Sequence, residues 1–445
     1  MKRKIFWLLV LIFAALAVRI ALVFFIIPFP EHPDILRWKD WTRISLLYGF
    51  ADTYTTTHIQ FGTLPNCMPP GTLYVQYIMY MIGIQISKIV LLVTHMPPGS
   101  LQWLNGPLIT VLFRIPAIIC DFFIAGFLYV IIKKITKNDL KSYLGMALFL
   151  CNPIVIFNST YKGQMDAIVN IFFIASLYFL FTKKILPSMV MFLCSLYIKL
   201  SLIYFIPVLA ILWWKQISMK RYVVYGGITV VIGLCLLLPI HPNPFFGLGL
   251  VFKNSAIGEM ANITAYAFNM WWMLFRPFAI PEGLEGTFGF STMHLIGSPL
   301  DSTKYFGIPL FWYAVSIFVI VSLPMILRIM KKNISTINII KNLSIIALMA
   351  FLVLPRMHER YMYPMFPLLT ILAVQSSWYM TMLVVLSLLN LMNIYIVWHP
   401  AIVQFFPYTL WGQRDFQWMI STITVIVACV YYRKVIFSNR KEHSK

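Results

Sequence analysis

The chain has 445 residues, of which 60% are hydrophobic and 11% charged, and its mean hydropathy is +0.82. A water-soluble fold cannot hide that much apolar surface, so the composition excludes a soluble enzyme or binding module and points to a polytopic membrane protein. The formal charge of +21 is carried in short Lys/Arg clusters between apolar runs, a pattern that orients a chain in a bilayer and argues against nucleic acid as a partner.

Met1-Lys2-Arg3-Lys4 precedes an apolar run from Ile5 to Ile27. The run is too long for the core of a signal peptide and no small-residue cleavage site follows, so it is read as the first span. The basic clusters at Lys133-Lys134, Lys183-Lys184, Lys215 to Arg221 and Arg328 to Lys341 are placed in the cytoplasm. Residues 28–106 then form a long first extracytoplasmic loop. The apolar stretch 72–95 inside it is read as a juxtamembrane helix at the interface, because a crossing there would put the Lys133 cluster outside. Spans are predicted at about 107–132, 142–158 and 167–182. The run 185–214, interrupted at Lys199, is read as a hairpin of two short helices with Lys199 near its outer tip. A span at about 222–240 leads to an outer loop, 241–305, rich in Gly, Pro and aromatic residues. Spans at about 306–327, 342–355, 364–377, 379–397 and 418–436 bring the total to about twelve. This divides the chain into an N-terminal module (1–240), an extracytoplasmic loop (241–305) and a C-terminal transmembrane module (306–445).

Of the 14 acidic residues, only Asp139 and Glu442 fall on the assigned cytoplasmic side, and Asp121 lies within a span. Acids influence orientation little, so their gathering outside is better explained by use. Asp34, in Glu31-His32-Pro33-Asp34, sits at the outer boundary, where a partly desolvated carboxylate can act as a general base; it reads equally as a helix N-cap, with Asp40 and Asp52 as nearby rivals. Met68-Pro69-Pro70-Gly71 sets a rigid turn and is read as structural. Arg114 and Asp121, seven residues apart, face nearly the same side of a helix; a structural ion pair or a cap to a neighbouring helix is favoured for Asp121. Gln164 and Asp166 place an amide and a carboxylate at the outer surface, suited to sugar hydroxyls, with Asp166 also readable as a helix cap. Lys199, isolated in an apolar run, can meet a lipid phosphate, pair with one of these acids or snorkel to the interface. Arg356-Met357-His358-Glu359-Arg360 sets four ionisable groups between two apolar spans, a density that favours phosphate binding over a solvated corner. Five of the six cysteines lie in apolar runs and Cys67 is alone in a loop, so neither a disulfide framework nor a zinc site is expected. Walker loops, dinucleotide fingerprints and Asp-x-Asp pairs are lacking.

With these residues in place, the chain resembles the GT-C superfamily of polyprenyl-phosphate-sugar-dependent glycosyltransferases. Asp34 followed by Trp41 and then Pro69-Pro70-Gly71 looks like the first extracytoplasmic loop of that superfamily, and Arg114-x-Pro116 leading to Asp121 looks like its second membrane helix. Gln164-x-Asp166, Tyr197-x-Lys199 and His358-Glu359-Arg360 are similar to segments of the glucosyltransferases that use dolichyl-phosphate-glucose to extend lipid-linked oligosaccharides; Asn269-Met270-Trp271-Trp272 is the best match in the 241–305 loop. The resemblance implies an all-α, GT-C-like fold and an inverting transfer of a hexose, glucose or mannose, from a polyprenyl-phosphate carrier to a lipid-linked glycan or another membrane-lipid or cell-envelope acceptor. In it Asp34 is the base. Lys199, Arg356, His358 and Arg360 hold the donor phosphate. Gln164, Asp166, Glu359, Trp271 and Trp272 contact sugar or acceptor. Many relatives carry two adjacent acids in the first loop, whereas Asp34 lies between Pro33 and Ile35, so the implied mechanism is metal-independent, with the lipid-phosphate sugar as co-substrate and no cofactor.

The rival reading is a secondary transporter or a flippase of glycan-lipid intermediates. It fits twelve spans with both termini inside, but such proteins bind substrate near the midplane between paired halves, and here the polar residues gather at one face. The short N-terminus and the lack of an obvious retention signal favour a bacterial plasma membrane over an endoplasmic reticulum membrane.

Overall fold

The computed structural model describes residues 2–26, 32–57, 64–95, 104–257, 261–275, 298–397 and 414–438. The protein is an all-α, multi-pass membrane protein. Among the described residues seven helices are long and apolar enough to cross a bilayer: Phe6–Ile26, Pro70–Thr94, Gly106–Thr136, Leu310–Met330, Thr336–Val353, Ser377–Ile396 and Asp415–Phe437. An eighth results if Asp139–Leu150 and Pro153–Tyr161, bent at Asn152-Pro153, form one span. Other apolar segments read as spans are shorter helices, Asp166–Phe181, Ile185–Ile198 and Leu200–Trp214. The segment read as an interfacial helix, 72–95, is one 25-residue helix, Pro70–Thr94, long enough to cross as well as to lie flat. Residues 276–297, part of the expected outer loop, lie outside the described residues, as do Glu31 and the basic C-terminus beyond residue 438.

The chain divides into two compact units. One comprises 1–127, 155–203 and 213–259, the other 128–154, 204–212 and 260–445.

In the first unit α1 (Lys2–Ile26) packs on a π-helical turn, Phe157–Tyr161. Helix α2 (Pro33–Tyr48) packs on α3 (Phe50–Thr55) and on α4 (Pro70–Thr94). Proline at the first helical position of α2 and α4 suits the helix start, where the missing N–H would have no partner anyway. Helices α5 (Asp166–Phe181) and α6 (Ile185–Ile198) form the tightest pair. Lipid offers helices no hydrophobic driving force toward each other, so close packing and interhelical hydrogen bonds hold such pairs together. Ser176 Oγ donates to the Ser188 carbonyl and Ser188 Oγ to the Ser176 carbonyl, each at 2.8 Å, and Ser195 Oγ donates to the Val169 carbonyl at 2.9 Å. The C-terminus of α6 meets the start of α4 so closely that a Cβ on Gly71 would stand 2.6 Å from the Tyr197 carbonyl oxygen. Only glycine fits there, which is the physical content of the Pro-Pro-Gly turn.

In the second unit α9 (Thr336–Val353) is buried along most of its length. It packs against α8 (Leu310–Met330), α10 (Met365–Ala373) and α12 (Arg414–Ser438), while α11 (Ser377–Val397) packs on α10 and α12. A one-turn helix, α7 (Met270–Phe275), lies on α9 and α12. Two short pairings order the chain beyond the helices. Strand β1 (Thr264–Ala265) runs parallel to β4 (Met357–His358), and β2 (Lys304–Tyr305) and β3 (Ile308–Pro309) form an antiparallel hairpin.

The strongest internal constraint in the first unit is an ion pair inside the span region. Arg19 of α1 and Asp121, both fully buried, meet at 3.1 Å. The same Asp121 oxygen accepts from Ser159 Oγ at 2.6 Å, and the guanidinium lies 5.3 Å from the centre of the Phe122 ring. Asp121 thus forms a buried ion pair with Arg19. Asp121→Leu strands a buried guanidinium and is expected to lower stability by about 3–5 kcal/mol, whereas the double variant Arg19→Met/Asp121→Leu should recover most of that loss. Thermal unfolding of the purified protein in detergent reads both; equal losses in the single and double variants would contradict the pair.

Candidate functional site

The polar residues of the first unit converge on one stretch, 157–166, between the π-turn and α5. The turn Phe157–Tyr161 is followed by Gly163 at φ +69. A side chain there would crowd Arg114 and Ile35, each 3.0 Å from an added Cβ. Arg114 secures this loop through backbone carbonyls: Nε donates to Thr160 at 2.9 Å and Nη2 to Tyr161 at 3.3 Å, while Nη1 donates to Thr110 at 2.7 Å. Arg114 thus cradles this loop by its carbonyls.

The loop aims Gln164 and Asp166 at different partners. Gln164 Nε2 donates to Asp34 Oδ2 at 3.0 Å, joining residues 130 positions apart. Asp166 Oδ1 meets Lys199 Nζ at 3.1 Å, both side chains 5% exposed, and Asp166 Oδ2 accepts from Asn158 Nδ2 at 3.2 Å. Lys199 reaches this position because α6 ends there; it is the C-cap residue, with extended backbone. Pairing with an acid is the one of its three readings that the structure displays. The cap readings of the two acids do not hold. His32 is the N-cap of α2, accepting the Asp34 backbone N–H on Nδ1 at 3.1 Å, and Asp34 lies in the first turn. Asp166 lies in the first turn of α5, whose N-cap Met165 makes no side-chain cap. A buried charge in low dielectric demands a partner more strongly than a helix end demands a cap.

Asp34 is the accessible end of this network, its side chain 24% exposed against 5% for Asp166. The nearby loop carries Cys67, whose thiol is pushed up by burial and by the Asp34 charge, with Arg37 and Lys199 opposing. The rivals named beside Asp34 are placed otherwise: Asp40 pairs with Arg43 at 3.8 Å, and Asp52 lies in the first turn of α3.

In the second unit the 356–360 segment also pairs internally. Arg356, at φ +59, donates from Nε to Asp301 Oδ2 at 2.6 Å. Its side chain remains 32% exposed, and that of His358 is 23% exposed. Arg360 Nη1 and Glu359 Oε1 meet at 2.9 Å with both side chains nearly buried, and the Glu359 carbonyl accepts from Asn390 Nδ2 at 2.6 Å. Arg356 and His358 are therefore the groups of this segment that an anion can approach, while Arg360 and Glu359 serve each other. Tyr266, opposite His358 in a bridge, has its hydroxyl pushed up to about 12 by burial, reinforced by the Glu359 charge.

Trp271 and Trp272, expected to stack on a sugar or anchor a loop, are core residues at 4% and 3% exposure. Trp271 stacks on Phe275 and donates from Nε1 to the Val353 carbonyl at 2.8 Å; Trp272 packs on Phe268. The loop folds down onto α9 and α12, which removes both rings from any surface. Sequence reasoning missed Arg19, Asn158 and Asp301. Arg19 carried a signal, a lone cation in the first apolar run; Asn158 and Asp301 carried none.

With this geometry in hand, comparison with known proteins shows similarity to the family described as GPI transamidase subunit PIG-U over residues 79–277. The match covers less than half of the chain, and no curated protein matches it. It contains Arg114, Asp121, Gln164, Asp166, Lys199, Trp271 and Trp272 but neither Asp34 nor the 356–360 segment. It overturns the glycosyltransferase reading, because that family is described as a subunit of a transamidase and not as an enzyme that moves hexose from a polyprenyl phosphate. The hexosyltransferase activity, the polyprenyl-phosphate-linked sugar and the lipid-linked glycan acceptor fall with it, as does Asp34 as the base of that reaction. The transporter or flippase alternative gains no support from the match either.

Two outcomes follow from the geometry. Lys199→Met and Asp166→Asn should each destabilise the protein by about 3–5 kcal/mol, and a double-mutant cycle should show them strongly non-additive in thermal unfolding. Because the Cys67 thiol is raised, less of it is thiolate at neutral pH; its alkylation by a maleimide should be slow at pH 7 and keep accelerating beyond the ordinary thiol range of about 8.5. A rate that levels off below that pH would contradict the shift.

Proposed function

We propose that the chain is a multi-pass membrane subunit of a GPI-transamidase-type assembly, working through protein partners. The observation that carries this reading is the match over residues 79–277, the stretch that contributes most of the polar network of the first unit. The character of that network supports it. Arg114 holds backbone carbonyls, Asp121 holds Arg19 and Ser159, and Asp166 holds Lys199 and Asn158. Groups so committed shape a scaffold, and a scaffold is what a partner subunit needs. Asp34, bonded to Gln164 and part-exposed, is the acceptor this scaffold offers at its surface. Arg356 and His358 are the corresponding part-exposed donors of the second unit.

On this reading the protein resides in the endoplasmic reticulum membrane, where GPI anchors are attached, in place of the bacterial plasma membrane favoured by the sequence. The test is complementation. Expressed in cells that lack their own PIG-U, the chain should restore surface display of a GPI-anchored reporter and co-purify with the remaining transamidase subunits. Correct membrane insertion with neither display nor co-purification would overturn the proposal.

A further inference from the structure

The hairpin Lys304–Pro309 carries a residue choice that its own fold does not explain. Its two-residue turn is Phe306-Gly307, with φ +50 and +79. Two positive φ values are what the type I′ turn of a tight hairpin requires, and asparagine or glycine meets that requirement at the first position. A bulky aromatic residue in this region is an outlier, since its Cβ crowds the backbone. Phe306 is also 99% exposed, so its ring gains no packing within the chain. Among the described residues, no packing of its ring compensates the backbone strain of this residue.

The hairpin is fixed in place. Tyr313 Oη donates to the Tyr305 carbonyl at 2.9 Å, Leu310 N–H to Thr303 at 2.9 Å and Phe311 N–H to Asp301 at 2.9 Å. Its last residue, Pro309, is the N-cap of α8. That helix has 21 residues, and at 1.5 Å per residue it spans about 30 Å, the thickness of the hydrocarbon core. Leu310 therefore lies at one edge of the hydrocarbon, and the tip of the hairpin, four residues earlier, lies in the adjoining headgroup zone. Large apolar side chains continue across that edge: Tyr305 is 44% exposed, Ile308 47% and, on the first turn of the helix, Trp312 57%. Trp and Tyr rings are enriched in the headgroup zone, and interfacial segments bury Phe as well as Trp and Leu at the headgroup–acyl boundary.

We infer that the 304–309 hairpin is a membrane-interface anchor, with the Phe306 ring inserted at the headgroup–acyl boundary beside the entry of α8. Lys304, exposed on the same hairpin, is a cation for lipid phosphates. Through Asp301, at the hairpin's base and bonded to Arg356, the anchor sets the depth of the part-exposed Arg356 relative to that boundary. The inference stands independently of the assembly proposed above, because it needs only the bilayer.

The experiment places a genetically encoded environment-sensitive fluorescent amino acid at position 306, which bypasses the six native cysteines. The full chain is reconstituted in phosphatidylcholine nanodiscs. The inference expects blue-shifted emission, strong quenching by phosphatidylcholine labelled with a doxyl group near the headgroup, and little quenching by aqueous iodide. Iodide quenching without doxyl quenching shows a tip in water and overturns it. Shielding from both quenchers shows a protein-covered tip and overturns it equally. A second variant guards against a purely structural role. Phe306→Asn relieves the positive φ, so its Tm in detergent should be unchanged or raised; a lowered Tm would show that the ring works within the fold and would overturn the inference.

Discussion

Inside a bilayer a charged side chain has no water to turn to, and the first unit is organised around that constraint. Asp121 and Asp166 are both buried, and each is matched by a cation from a distant part of the chain, Arg19 and Lys199, and by a neutral donor from one short turn, Ser159 and Asn158. The π-turn 157–161 is therefore the common element. It ties the first helix to the Asp121 helix on one side and the α5–α6 pair on the other. Arg114 holds the same turn by its carbonyls. Removing one member leaves an unmatched charge where its desolvation is most unfavourable, so the network behaves as a unit.

That organisation bears on what the chain does. The residues that resemble a glycosyltransferase site are present in order, but in the structure most are bonded to one another or to the backbone. Similarity to a transamidase subunit over 79–277 concerns the same stretch. A set of intramembrane charges that serves catalysis in one setting can serve architecture in another, because the physical demand, a matched pair in low dielectric, is the same. The motif alone does not distinguish them.

The second unit follows a different logic. Its segments outside the long helices are ordered by backbone pairing and aromatic burial. Strand β1 receives β4, the Asn269 amide receives the N–H groups of Trp271 and Trp272, and both indoles turn inward. Aromatic rings of the segment before α8 thus have opposite fates. Trp271 and Trp272 close the core, while Phe306 stands fully exposed at a strained turn. Composition marks the 241–305 loop as aromatic and assigns Phe306 to the following span; only the backbone path separates the rings that hold the fold from the exposed ring at the turn.

Sequence alone determined the class of this protein. Hydropathy and charge clusters established an all-α chain that crosses a membrane repeatedly, because apolar length and Lys/Arg placement are local properties. The Pro-Pro-Gly turn and the break at Lys199 were legible for the same reason. What the tertiary structure decided was partnership. Asp121 pairs with Arg19 across 102 residues, Gln164 bonds Asp34 across 130 and Arg356 takes Asp301 across 55. None of these has a spacing that helix periodicity could reveal. Whether a charged residue in a membrane protein is a reagent or a strut depends on what stands within about 3 Å of it, and that is set by packing between segments far apart in the chain.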